Sequence, residues 1–179
     1  MGQYYKVIFL SDNKQMKEII RMWIEPPSYG NGSKLMEHSY VDSNTMKIVE
    51  KFLSVDGMFY KSRIVWAGDY TEPEIGDTKN LYELAVINNT FCNQQLPNNT
   101  IYRYILNHTK KLYVDKTKLN NTIHPLPLLV SEGNGEGGGD YFGTNDNMCG
   151  SWARDIISVE NDIYDYTELV CGFSSINMV

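Results

Sequence analysis

Three histidines, His38, His108 and His124, are the side chains of this 179-residue sequence best suited to moving protons near neutral pH. A pair of imidazoles with a nearby cation is chemically sufficient for metal-independent RNA cleavage. One ring takes the 2′-hydroxyl proton, the other protonates the leaving oxygen, and the cation steadies the phosphorane. Glu132 lies a few residues after His124, and with Asp140 and Arg154 the candidate catalytic set is His38, His108, His124, Glu132, Asp140 and Arg154. Each histidine also fits a hydrogen-bonded structural role. Asp69, Asp140 and Asp155 fall at predicted strand ends, where they could hold a hard cation such as Mg²⁺ through oxygen ligands. An equally simple account of Asp69 or Asp155 pairs them with Arg63 or Arg154. No CxxC, HxH or HExxH spacing occurs, which argues against a zinc centre.

Two further stretches carry chemistry. Ser131–Tyr141 places five glycines within seven positions, with acidic residues before, inside and after them. Such a loop suits sharp turns, close backbone approach, or a flap that orders on a ligand. Gly133, Gly135 and Gly138 match GxGxxG, but Asp140-Tyr141-Phe142-Gly143 follows rather than a helix, and the carboxylates would repel a pyrophosphate. No GxxxxGK[ST] motif is present. Residues 102–118 interleave Arg103, Lys110, Lys111, Lys116 and Lys118 with Tyr102, Tyr104 and Tyr113. Cations meet phosphates and tyrosine rings stack on unpaired bases, so Arg103, Lys110, Lys111, Tyr113 and Lys116 form the candidate nucleic-acid surface. A solvated hairpin with a tyrosine face is the alternative.

These groups need elements to position them. Residues 4–10 read as a buried strand. Met16, Ile19, Ile20 and Trp23 fit helical spacing, whereas Ile20, Met22 and Ile24 fit a strand returning through Asp12-Asn13-Lys14; the tight turn favours the hairpin. Pro26-Pro27 ends that element. A short element spans Leu35 to Tyr40, and Asn44 caps a predicted helix over 45–54 whose apolar face is Met46, Val49, Phe52 and Leu53. Residues 63–66 form a strand, and Asn80 caps a short helix over 81–87. Residues 101–106 and 111–114 form a hairpin, and the two prolines of 124–127 predict an extended segment. A strand over 151–159 and a short element over 166–173 complete the chain. The expected fold is α+β, a single domain over residues 1–179, mainly antiparallel sheet with a few short helices.

Bulk composition limits function rather than naming it. Hydrophobic residues make up 42% of the chain, as expected of a folded protein, and the net charge is −6. Residues 131–179 hold nine acidic residues and one basic residue, while residues 1–130 hold thirteen acidic and fifteen basic. An acidic C-terminal third is a clue to partners. Cys92, Cys149 and Cys171 are odd in number and far apart, which suits free thiols in a reducing compartment. With no secretory signal and no long apolar run, the expectation is a cytoplasmic protein without a membrane partner.

The strings MGQYYK, YGNGSKLMEHSYV, RIVWAGDY, NLYELA, NHTKKLYVDK, IHPLPLL, SEGNGEGGGDY and GSWARDIISVE together resemble a family of small uncharacterised phage and mobile-element proteins that open MGQYYK. The similarity runs from Met1 to about Glu160. It supplies no catalytic assignment and implies a phage or mobile-element accessory role. Small accessory proteins of that kind include inhibitors of host defence such as anti-CRISPR proteins. The leading expectation is therefore an inhibitor that binds a host defence nuclease or its guide RNA complex. The alternative is a small hydrolase or ribonuclease acting on RNA or a nucleotide through the His and carboxylate set, metal-independent or with Mg²⁺. A third is a structural or regulatory binding module. Sequence alone does not decide whether the protein is an enzyme.

Overall fold

A computed structural model describes residues 1–12, 16–88, 90–119 and 122–175. The N-terminal apolar run forms β1 (Tyr5–Leu10), and all its residues are buried. β2 (Ile20–Ile24) returns antiparallel to it, with Leu10 opposite Ile20, so the hairpin prevails over the helix. The expected common face of Ile20, Met22 and Ile24 is broken by a register shift: Phe9 lies opposite Met22 but Leu10 opposite Ile20, so Met22 and Ile24 enter one core while Ile20 joins Trp23 in the other. Of the predicted turn, Asn13 and Lys14 lie outside the described residues. Pro26–Tyr29 then forms a 3₁₀ turn that ends at Gly30, whose φ of 76° favours glycine.

α1 (Leu35–His38) and α2 (Asn44–Leu53) follow. Ser43, rather than Asn44, caps α2: its Oγ accepts from the Met46 N–H at 3.2 Å, while Asn44 donates to the Tyr29 carbonyl. β3 (Ser62–Gly68) precedes α3 (Leu81–Asn88), where Asn80 and Glu83 exchange side-chain-to-backbone bonds of 3.0 and 3.1 Å in a capping box. β4 (Tyr104–Asn107) and β5 (Leu112–Asp115) form the expected hairpin.

The extended reading of His124-Pro125-Leu126-Pro127 is corrected. Pro125–Leu129 is a helical turn, α4. Its prolines fall in the first turn, where the backbone N–H groups have no intrahelical partner to lose. β6 (Ser131–Glu132), β7 (Gly143–Thr144), β8 (Ile156–Glu160), β9 (Thr167–Glu168) and β10 (Ser174–Ser175) complete the elements. β8 starts later than the predicted Ser151 because residues 151–154 turn, with Arg154 at φ 65°.

The fold is α+β. One mixed, mainly antiparallel sheet runs in the order β2-β1-β3-β8-β4-β5-β9, and β6 lies parallel to β3. On one face, Val7, Phe9, Ile64, Trp66 and Val159 share a core with Met46, Val49, Phe52 and Leu53 of α2. Truncating one such side chain typically costs about 2–5 kcal/mol. On the other face, Ile8, Leu10, Val65 and Ala67 pack under Leu81 and Ala85 of α3. Beyond β3 that second face continues with Ser158, Glu160, Tyr104 and Tyr113, by strand alternation and register. No helix among the described residues is long and apolar enough to cross a membrane.

Candidate functional site

β3 shares one of its edges between two strands. Its start pairs with β8, Arg63 opposite Ile156, and its end pairs with β6, Ala67 opposite Glu132. The Arg154 N–H donates to the Ile64 carbonyl at 2.9 Å, which sets Arg154 at the junction beside Glu132. Its Nε and Nη2 donate to the two Glu132 oxygens at 2.6 and 2.9 Å. Nη1 and Nη2 donate to Glu74 at 3.0 and 2.5 Å, and Nη1 reaches Glu18 at 3.4 Å. Arg63 grips Glu18 with two bonds of 2.8 and 2.9 Å. Among the described residues, three carboxylates thus share two guanidiniums.

This network forms the wall of a groove of about 680 Å³. Met16, Ile19, Ile20, Ile75, Leu84 and Ile87 supply its apolar surface. Several of these are open to solvent: Met16 is 94% exposed, Ile75 93%, Ile87 58% and Ile19 46%. Among the described residues, Glu18, Glu72, Glu74, Asp77 and Glu132 face it against Lys17 and Arg154. An exposed apolar cluster framed by charge is the signature of a docking surface.

The predicted catalytic set does not converge. Glu132 and Arg154 meet, as an ion pair. His38 is fully buried: its Nδ1–H donates to the Gly32 carbonyl at 2.9 Å and its Nε2 accepts from the Trp66 indole at 2.9 Å. Burial pushes its pKa down to about 4, so the ring is neutral. His124 is also fully buried and caps α4, its Nδ1 accepting from the Leu126 N–H at 3.2 Å. That leaves Nε2–H to donate to Glu50 at 2.7 Å, and Lys116 pairs with the same carboxylate. Burial lowers the pKa of His124. Burial alone would raise that of Glu50, but the imidazole and Lys116 outweigh it and hold the carboxylate charged.

His108 alone of the three retains some surface. Its Nε2 bonds Ser158 Oγ at 2.7 Å and its Nδ1 bonds Tyr166 OH at 3.0 Å. Ser158 in turn donates to Glu160 at 2.7 Å, so its one proton is spent there and His108 supplies the Nε2–H. Burial and the Lys61 charge put the His108 pKa at about 4. Tyr164 and Tyr166 stack beside it at 5.3 Å, with Lys61 and Lys111 over their rings.

Asp140 organises the glycine loop instead of facing a ligand. It accepts from the Gly135 and Gly137 N–H groups at 2.8 and 3.0 Å and from Tyr5 OH at 2.8 Å. Gly135, at φ 100°, supplies the left-handed turn this needs. Gly138 bonds Met1 and Gln3, so the segment packs on the N-terminus. The Asp69, Asp140 and Asp155 metal set is likewise dispersed. Asp69 accepts from the Tyr4 N–H, and Asp155 holds Asn107 and Lys110. No group of three His, Cys, Asp or Glu side chains among the described residues is placed to hold a metal ion.

The cation–tyrosine surface is largely spent internally. Arg103 pairs with Asp115, Lys110 with Asp155 and Lys116 with Glu50. Tyr113 packs edge-on against Tyr104, and Lys111 lies over Tyr166. Burial raises the Cys149 thiol to about 12 and Cys171 to about 11, so neither is a thiolate near neutrality. The groove residues Glu18, Glu74 and Ile75 were outside the sequence-derived set. The signal for them is Ile75 standing alone in the acidic turn Thr71-Glu72-Pro73-Glu74-Ile75-Gly76-Asp77. No protein-family model, curated protein or solved structure matches this chain.

Proposed function

We propose that the protein is a phage or mobile-element accessory inhibitor that acts by stoichiometric binding to a host defence nuclease or its guide RNA complex. The observation that carries this reading is the acid-framed groove with exposed Met16, Ile19, Ile75 and Ile87. Burying such side chains against a partner contributes about 1.5–3 kcal/mol each before ordering costs. A stoichiometric inhibitor requires no catalytic residue, and two of the three imidazoles are sealed in the interior. Imitation of a phosphate row is the weaker route to the same end. Of the nine C-terminal acids, Glu132, Asp140, Asp155, Glu160 and Glu168 accept internal bonds, while Glu136, Asp146, Asp162 and Asp165 remain exposed.

The hydrolase alternative rests on one observation, the His108–Ser158–Glu160 hydrogen-bond chain beside Tyr164 and Tyr166. A titration separates the two. Increasing amounts of the protein are added to a fixed amount of guide-loaded CRISPR effector, and target cleavage is measured. Binding gives inhibition that saturates near one equivalent and a co-eluting complex on a sizing column. Inactivation at a small fraction of an equivalent, lost in His108→Ala, would replace this reading with the hydrolase.

A further inference from the structure

The groove's chemistry specifies what fits it. Leu84 and Ile87, three positions apart on α3, form one apolar wall, and Ile19, Ile20 and Ile75 line the groove with them. Five carboxylates against Lys17 and Arg154 leave three negative charges on the lining, and Arg63 behind Glu18 reduces this to two. Arg154 is saturated by Glu74 and Glu132, so it offers little to an anion. A nucleic acid would meet net repulsion there. Addition of a strand to the neighbouring β2 edge is blocked at Trp23, whose N–H donates to the Thr90 carbonyl and whose carbonyl accepts from the Cys92 N–H. A helix needs no backbone partner from the groove. Its apolar stripe would seat on the isoleucines, and Lys or Arg on its flanks would meet Glu72, since Asp77 already pairs with Lys17 at 3.2 Å.

We infer that the groove takes a basic amphipathic helix of the partner protein; this rests on the binding reading above and names its contact. The probe is a fluorescein-labelled Leu/Lys amphipathic peptide of about 18 residues, long enough to hold a helix when docked. A Leu/Glu peptide of the same pattern and a Ser/Lys peptide without an apolar face are its controls. Fluorescence anisotropy should show saturable one-to-one binding of the Leu/Lys peptide, with each control weaker by about tenfold or more. Ile75→Glu and Glu72→Lys should each weaken it by a similar factor. Both positions are at least partly exposed, so the variants should melt like the parent. Equal binding by the parent and Ile75→Glu, or equal affinity for the Leu/Glu peptide, would overturn the inference. The same variants in the effector titration distinguish the two levels. Undiminished inhibition by Ile75→Glu overturns the helix-in-groove contact and leaves inhibition standing. Peptide binding without any effector complex supports the groove chemistry and overturns the nuclease reading.

Discussion

His38 and His124 are histidines because each must accept one hydrogen bond and donate another inside a dry core. Trp66 needs an acceptor for its buried N–H, and the α4 N-terminus needs a cap. Removing the His124 ring strands the Leu126 N–H and takes a donor from a buried carboxylate. His124→Ala should therefore cost about 3 kcal/mol of stability in urea unfolding. If it left stability unchanged, a structural role would be wrong. The pH dependence follows from the same burial. Folding depresses the pKa values of His38 and His108 from 6.5 to about 4, so the unfolded chain takes up protons first. Stability is full above about pH 6.5 and falls as pH drops towards 4, by about 3 kcal/mol from fully buried His38 alone. Asp115 acts in a lower window: the Arg103 guanidinium holds its carboxyl at about 2, so that contribution goes only below about pH 4. Urea midpoints from pH 7.5 to 4.5 test the histidine effect, and a flat profile would contradict it. Sequence picked out the histidines as chemically special. It could not show that they face inward, because burial is set by partners distant along the chain, such as Glu50 and Trp66.

The elements whose signals are local were legible, and those decided by distant packing were not. β1 follows from its aromatic and β-branched run, the 104–115 hairpin from two short strands around a polar turn, and α3 from its Asn80 cap. At α2 the cap expected at Asn44 falls one residue earlier, on Ser43, whose backbone is extended and whose Oγ accepts from the Met46 N–H. Ser43→Ala should cost about 1 kcal/mol. α4 departs from the extended expectation because two prolines exclude a helix interior but not a first turn. The glycine loop is read differently once Asp140 is seen to tie Gly135 and Gly137 to Tyr5. Asp140→Ala removes three bonds to a buried carboxylate and should cost about 3 kcal/mol, with faster proteolysis between residues 133 and 139. A parent-like melting temperature would mean the loop is held by other contacts.

At the scale of the molecule, the division of one β3 edge between β6 and β8 makes the groove. That division brings Glu132 and Arg154 together, and Arg154 then clamps the acidic turn at Glu74. Glu132 and Arg154 were therefore in the sequence-derived set for a reason other than their real one. Glu74 is marked only by the acidic turn around Ile75, and neither it nor Glu18 carries a local sign of pairing with a distant guanidinium. Arg154→Ala should leave Glu18, Glu74 and Glu132 crowded together and cost about 3 kcal/mol, since removing one side of a partly buried pair is expensive. Hydrogen–deuterium exchange on the guide-loaded CRISPR effector complex, compared with the free protein, tests the central claim most directly. Protection concentrated in residues 16–20, 71–77 and 84–87 is the result expected of a partner seated in the groove. Protection confined to residues 108–111 and 164–166, or no complex to measure, would contradict it.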